Sequence, residues 1–368
     1  MKRSLHRVFA LVWALAATPA AARADDGEEP PVVHSFPYWS GTVSVELGGD
    51  HVFGATDPGL NRNLAKLTLE ANTVLHFSEA FSLVSHLTAE PVIDPEPFSN
   101  SYFKNEGLFV EELFAQYEAG GWRAYAGKFD PAFGLAWDAT PGVFGTDFAE
   151  DYQLSEKLGV GLAYSFGDGA EGTHTLTVSL YKADTSVLAG SLFTKRAGLT
   201  LDDGGAGNTR LPRSFVVALS SEEVPSLGGL GYTLAFRNQA KGNGPDDVAA
   251  ENGGVFGLTK TFYIAEDRSI EAIFETAYLS HADGLADDKL YLTLGAKWIS
   301  GPWNASASWT LRDTLVAGAP DFADNLYQLS AGYTFENGIG IEAGYKFSRE
   351  VDGDSQAIGV KVTREFQF

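Results

Sequence analysis

From Tyr38 to the last residue the chain alternates apolar and polar side chains with a period of two, and helical periodicity is scarce. Thr42-Val43-Ser44-Val45-Glu46-Leu47 sets polar against apolar in turn. Leu290, Leu292, Leu294 and Ala296 face one way, while Lys289, Tyr291, Thr293 and Lys297 face the other. Trp303, Ala305, Ala307, Trp309 and Leu311 alternate with Asn304, Ser306, Ser308, Thr310 and Arg312. Side chains on a strand point to opposite faces in succession, so each such segment has one apolar and one hydrophilic face. The pattern predicts strands near 38–50, 62–78, 80–92, 107–119, 121–129, 157–167, 173–184 and 211–221. It continues with strands near 229–241, 254–265, 268–280, 289–300, 302–312, 326–336, 338–349 and 355–368, about sixteen in all.

A soluble sandwich would alternate in the same way, and the connections separate the two architectures. Tight ones fall at Ser78-Glu79-Ala80, Gly120-Gly121, Glu266-Asp267, Gly301-Pro302 and Glu336-Asn337-Gly338. Longer ones fall at 51–61, 93–106, 130–156, 185–210, 242–253, 281–288, 313–325 and 350–354, while 222–228 is longer than the other turns in its series. Short turns on one rim and long loops on the other predict an all-β, transmembrane, antiparallel up-and-down β-barrel with short periplasmic turns and long extracellular loops. Aromatics cluster beside the tight turns: Phe77 and Phe81, Trp298 and Trp303, Phe335 with Ile339, and Tyr117 and Phe166 at strand ends. Rings at one rim match the aromatic girdle of membrane barrels.

The N-terminus sets the compartment. Lys2, Arg3 and Arg7 precede the apolar run Val8 to Ala17, and Ala22-Arg23-Ala24 fits a cleavage site, which together read as a secretory signal peptide over 1–24. The run is about half the ~20 residues that a spanning helix needs. Cleavage between Ala24 and Asp25 leaves an acidic periplasmic lead, 25–37, before the barrel at 38–368. Cysteine is absent and Met1 is the single methionine, which excludes a disulfide scaffold and thiolate metal sites. The formal charge of −22 becomes more negative once the basic leader is removed. That balance excludes nucleic-acid binding, which needs a basic face. Much of the acid lies outside the strands, as in Pro245-Asp246-Asp247, where it serves solubility or binds divalent cations shared with lipopolysaccharide.

The final segment alternates Ile358, Val360, Val362, Phe366 and Phe368 with Gly359, Lys361, Thr363, Glu365 and Gln367, and ends on phenylalanine. It resembles the signal read by the barrel-assembly machinery of Gram-negative outer membranes, with Phe366 and Phe368 in the reading positions. A second resemblance lies in Val110-Glu111-Glu112-Leu113-Phe114-Ala115-Gln116-Tyr117 followed by Gly127-Lys128-Phe129-Asp130-Pro131-Ala132-Phe133-Gly134. These stretches are similar to the phosphate-selective porin group of the wider porin superfamily, which carries an E-A/E-x-x-x-x-Y strand before G-x-F-x-P-x-F-G. Phosphate selectivity does not carry over, because the extra basic residues of a dedicated anion site are absent. The resemblance implies a passive outer-membrane channel for small hydrophilic solutes, without cofactor, and a homotrimer among outer-membrane lipid and lipopolysaccharide.

In the porins so resembled, the third outer loop folds into the pore. Here that loop is 130–156, with Asp138, Asp147, Glu150, Asp151 and Glu156 among Phe133, Trp137, Phe144 and Phe148. Long loops in compact proteins usually have a task, and the aromatics favour packing against a wall, so the five carboxylates are expected at a constriction. Lys66, Lys128, Arg237, Lys289, Lys297, Arg312, Lys346 and Lys361 fall on hydrophilic faces and form the expected basic wall. Glu46, Glu70, Glu112, Glu271, Glu275, Glu342 and Glu365 share those faces. Acidic rings favour cations and basic walls anions, but a one-residue slip reverses every assignment.

Catalytic patterns are not found. His34, His51, His76, His86, His174 and His281 are scattered without H-E-x-x-H spacing, although His76 and His86 are placed to approach each other across a turn. No G-x-S-x-G elbow occurs, and Gly167-Asp168-Gly169 and Gly204-Gly205 read as turns with no helix to follow. A substrate-specific channel for sugars, organic acids or anions stays open. So does a different class, a barrel enzyme or a soluble secreted β-protein.

Overall fold

The computed structural model describes residues 35–368. The expected leader, its cleavage point at Ala24 and Asp25, and the first part of the acidic lead lie outside the described residues. The chain forms β1 (Tyr38–Phe53), β2 (Arg62–His76), β3 (Phe81–Pro91), β4 (Ser101–Tyr102), β5 (Glu106–Ala119) and β6 (Trp122–Phe129). Then come β7 (Lys157–Phe166), β8 (His174–Ala183), β9 (Ser191–Phe193), β10 (Ser214–Val224), β11 (Leu230–Gln239) and β12 (Glu251–Ala265). The series ends with β13 (Arg268–Ser280), β14 (Asp288–Ser300), β15 (Trp303–Leu315), β16 (Phe322–Thr334), β17 (Gly340–Glu350) and β18 (Gly353–Gln367). Two of these, β4 and β9, are short strands within long loops; the other sixteen build the wall, each antiparallel to its neighbours. The last strand pairs with the first, from Thr42↔Gln367 to Phe53↔Gln356, so the sheet closes on itself and leaves no edge. Closure matters because a backbone group without a partner in hydrocarbon costs several kcal/mol.

Register settles which way each face looks. Leu176, Val178 and Leu180 are exposed while Thr177 and Ser179 are buried, and Phe215 and Val217 are exposed around a fully buried Val216. The same inversion holds at the C-terminus, where Ile358, Val360, Val362, Phe366 and Phe368 all face outward. A water-soluble sheet would bury these apolar rows, and contiguous apolar surface on this scale marks a membrane-facing wall. The short-turn rim carries a band of exposed rings. Phe77 meets Phe81 at 5.5 Å, Trp122 meets Tyr164 at 4.4 Å, and Trp303 meets Tyr333 at 4.7 Å. Of the expected girdle residues, Phe77 and Phe81 meet each other, Trp303 and Phe335 both meet Tyr333, and Phe166 meets Tyr164.

Two local departures have physical causes. The longer turn at 222–228 arises because β10 continues past a bulge between Ser221 and Val224. A single 3-10 turn, Pro225–Leu227, then ends on Gly228 in the left-handed region, and the turn packs against Gly172 of the adjacent turn. Lys260, which shares the outward face of Phe256, Leu258 and Phe262, extends its ammonium toward the Gly228-Gly229 turn. Long basic side chains commonly carry their charge to the interface while their stems stay in the apolar layer.

Candidate functional site

Inside the barrel the wall is interrupted at one place, where β6 stops after Phe129 and the chain turns into the lumen. The turn is prepared on β5. A bulge between His86/Leu87 and its partners makes Glu111 an extra residue, so Glu111 and Glu112 both point inward. Bulges re-aim side chains in this way. Glu111 accepts from Thr88 Oγ1 at 2.7 Å and lies 3.2 Å from His86 Nδ1. Glu112 accepts the Asp130 amide at 3.0 Å, and Asp130 accepts the Glu156 amide at 2.7 Å. One end of the paired-glutamate motif thus holds both ends of the 130–156 loop. Burial, and then the Glu112 carboxylate, push the Asp130 carboxyl well above its ordinary range.

From Asp130 the loop crosses the lumen and lies along the inner face of β11 to β18 and β1. Glu275 on β13 is its central anchor, accepting the Leu135 amide at 2.7 Å, the Ala136 amide at 3.0 Å and the Tyr152 hydroxyl at 2.6 Å. Burial and the adjacent carboxylate hold the Tyr152 phenol well above its usual range, which keeps it a donor. Further along, Gln328 on β16 donates to the Pro141 carbonyl at 2.8 Å, and Ser330 Oγ accepts the Val143 amide at 2.9 Å. Three wall cations each receive a loop phenylalanine: Arg237 over Phe133 at 4.3 Å, Arg312 over Phe148 at 4.3 Å, and Lys346 over Phe144 at 5.1 Å. Cation–π contacts gain strength when water is excluded. Arg237 also donates to the Tyr152 carbonyl and pairs with Glu251. Arg312 pairs with Asp151, Asp324 and Glu350, and Lys346 with Asp147.

The seat under the loop is made by glycines. A Cβ at Gly257 would stand 2.9 Å from Leu135, at Gly295 2.8 Å from Pro141, at Gly344 2.8 Å from Val143, and at Gly359 2.5 Å from Phe144. A strand glycine loses packing and conformational stability, and commonly marks a close backbone approach. Between seat and loop lies an apolar core of Phe133, Ala136, Tyr152 and Leu154 with the inward-facing Val216, Ala235, Val255 and Ile273.

The expected site residues thus separate into groups. Asp147 and Asp151 are ion-paired to the wall. Glu150 accepts the Thr146 hydroxyl at 2.6 Å. Glu156 lies at the long-loop rim, where it pairs with Arg196 and with Lys128, at 2.7 Å to the latter. Asp138 borders an open space of about 330 Å³ lined also by Glu112, Gln116, Arg123, Tyr125 and Trp137. Lys66, Arg237, Lys289, Lys297, Arg312, Lys346 and Lys361 occupy inward positions by register.

Lys128 does not. It shares the outward face of Ala124, Ala126 and Leu158, and is fully buried because the 184–196 loop folds over it. There it pairs with Glu156 and with Asp184 at 3.0 Å. Burial acts against the Asp184 charge, but the Ser186 hydrogen bonds and Lys128 outweigh it and lower that carboxyl below its ordinary range. Nor do His76 and His86 meet: His76 is opposite Ser82 and bonds Ser40, while His86 is opposite Asn72 and faces Glu111. Sequence reading passed over Arg196, Asp184, Gln328 and the glycine seat. Of these, only strand-interior glycines with inward parity left a readable signal.

Among known proteins, no family model matches the chain. Outer membrane porin protein 32 of Delftia acidovorans is 28% identical over 209 residues, 54% of this chain and 57% of that porin, so the match spans little more than half of the relative's length. The outer membrane channel DcaP of Acinetobacter baumannii superposes with a TM-score of 0.56 at 12% identity, covering 89% of this chain and 96% of that one. Pseudomonas putida OprB gives 0.63 at 9% identity, over 89% and 94%. Pseudomonas aeruginosa OccK2 (OpdF) in complex with glucuronate gives 0.54 at 10% identity, over 90% and 98%.

Proposed function

We propose that this chain, which has the fold of the Gram-negative outer-membrane porin superfamily, is a passive channel in which the 130–156 loop forms the constriction. The observation that carries the reading is the loop's fixed course across the lumen, pinned at Glu275, Gln328, Lys346 and Arg312 and seated on inward glycines. A barrel of about 16 strands leaves room for an aqueous path beside such a loop. Solutes would pass between the loop and the opposite wall, β1 to β6, past Asp138.

The pore is further proposed to prefer cations. Arg237, Arg312 and Lys346 are already engaged by Glu251, Asp151, Asp324, Glu350 and Asp147. On the opposite wall the inward positions hold Glu46, Asp50, Glu70, Glu90, Glu111, Glu112 and Glu118, against Arg62, Lys66 and Arg123. Excess acid along a narrow aqueous path raises the local cation concentration. Planar-bilayer recording in a salt gradient tests both claims. Discrete conductance steps with a reversal potential of cationic sign are expected; an anionic sign removes the preference, and no steps at all removes the channel.

The same reading takes the chain to be a non-enzyme. Among the described residues the histidines serve separate local bonds, as with Tyr232 and His174 at 2.8 Å. It also takes the leader at 1–24 as a cleaved signal, Phe366 and Phe368 as the assembly signal, and the native form as a homotrimer contacting lipopolysaccharide. A solute-specific channel is favoured by the Trp137, Tyr125 and Gln116 surfaces beside Asp138. Saturable block of the conductance by a sugar or organic acid would support it.

A further inference from the structure

The outer wall has a depression across four neighbouring strands. Across β12 to β15 one outward row consists of Lys260, Ala272, Ala296 and Ala307, each directly opposite the next. The row toward the long-loop rim is bulky: Phe274, Leu294, Trp309 and Tyr327. Phe262, Ile270 and Trp298 stand on the other side. Three methyl-sized side chains between two tall rows make a trough of about 730 Å³ with an almost wholly apolar lining. Lys260 stands at one end, its ammonium beside Gly228-Gly229 at the short-turn rim and 5.8 Å from the Phe262 ring. The Glu223 carboxylate is a close neighbour of this ammonium: its Oε1 lies 2.8 Å, and the Lys260 Nζ 3.3 Å, from the position a Gly229 Cβ would take. The trough accepts a hydrocarbon chain, and its one charged end calls for an anion.

We propose that this trough binds one phospholipid with an anionic headgroup, its phosphate on Lys260 and an acyl chain along Ala272, Ala296 and Ala307. The proposal rests on the membrane placement above, with the short-turn rim facing the periplasm. A second copy of this chain fits less well. Lys260 would then be carried into an apolar interface together with the nearby Glu223 carboxylate, and both charges would lose their water. A cation on a lipid-facing wall is favourable beside a phosphate and unfavourable beside hydrocarbon.

The test uses the full-length protein purified in mild detergent, with native mass spectrometry of bound phosphatidylglycerol and phosphatidylcholine. The wild type is expected to retain phosphatidylglycerol in preference. Lys260→Gln should lower that affinity by about fivefold, the factor for one lysine at an anionic headgroup. The double variant Ala296→Leu/Ala307→Leu, which fills the trough, should lose both lipids. Unaltered single-channel conductance and heat-modifiable gel migration show that the variants still fold, and loss of conductance in the wild type would refute the channel separately. Equal phosphatidylglycerol retention by wild type and Lys260→Gln overturns the proposal. Undiminished adducts in the filled variant do so too, as does efficient disulfide cross-linking between copies through Ala307→Cys.

Discussion

Glu275→Ala measures how the 130–156 loop is held. One carboxylate takes the Leu135 and Ala136 amides and the Tyr152 hydroxyl, all within 3.0 Å. Hydrogen bonds to a charged acceptor contribute about 1.5–3 kcal/mol each, and removing the acceptor leaves buried donors without partners. Because the three bonds share one acceptor they are not additive, and a loss of roughly 3–5 kcal/mol in loop anchorage follows. The loop's far part keeps Gln328, Lys346 and Arg312, so the elbow at 132–139 should detach while 141–151 stays docked. In single-channel recordings the variant should show added open-channel noise and a changed mean conductance, and proteolysis should cut near the elbow. Glu275→Gln, which keeps the shape but replaces one accepting oxygen with a donor, should fall between. Quiet recordings at wild-type conductance, with the elbow still resistant, would refute the anchoring role.

Filling the seat should act from the other side: Gly295→Val or Gly344→Val would drive a methyl into Pro141 or Val143, displacing the loop and reducing or destabilising the conductance. Asp130 has a raised pKa, so the elbow is most stable below the ordinary aspartate range near 3.8 and loses stability as pH rises through its folded value. Asp130→Asn should therefore make the elbow more protease-resistant at neutral pH. The depressed pKa of Asp184 has the opposite sign: its contribution is complete above about 3.8 and disappears only as pH falls through the lower folded value. Pepsin should accordingly leave 185–196 uncut until the medium is more acid than that, whereas Asp184→Asn should be cut throughout the peptic range. Arg196→Ala, which removes the guanidinium from Glu156 and from the Phe109 ring at 4.0 Å, should loosen the same loop without altering ion preference.

Most of the wall was legible because a lipid-facing barrel enforces strict alternation, and the sixteen segments read from it correspond to the sixteen long strands. The acidic and basic residues assigned to hydrophilic faces are inward by register, with one exception. Lys128 follows Gly127 at the point where β6 leaves the sheet, and its outward pocket is created by the distant 184–196 loop, which no local pattern encodes. The bulge at Glu111 was equally silent, since two adjacent glutamates read as one inward and one outward residue until the pairing with β3 is known. A clue that went unused was β10, where Ser214-Phe215-Val216-Val217-Ala218-Leu219 is apolar on both faces. One face meets lipid; the other meets the folded loop, and inward Val216 is part of that core. Ion pairing of Asp147 and Asp151 to Lys346 and Arg312 depends on contacts more than 150 residues apart, beyond any window of sequence.

The early end of β6 has a price for the cylinder above it. Gly107–Phe109 on β5 would face lipid or water with bare amides and carbonyls, and Ser191–Phe193 supplies the missing pairing. The plug and the patch are therefore a single construction: the polypeptide diverted inward by one excursion is replaced in the wall by another. Insertions or deletions in 130–156 that move its point of departure should be tolerated only with matching changes in 184–196, and shortening the second excursion alone should open a sideways leak at the long-loop rim.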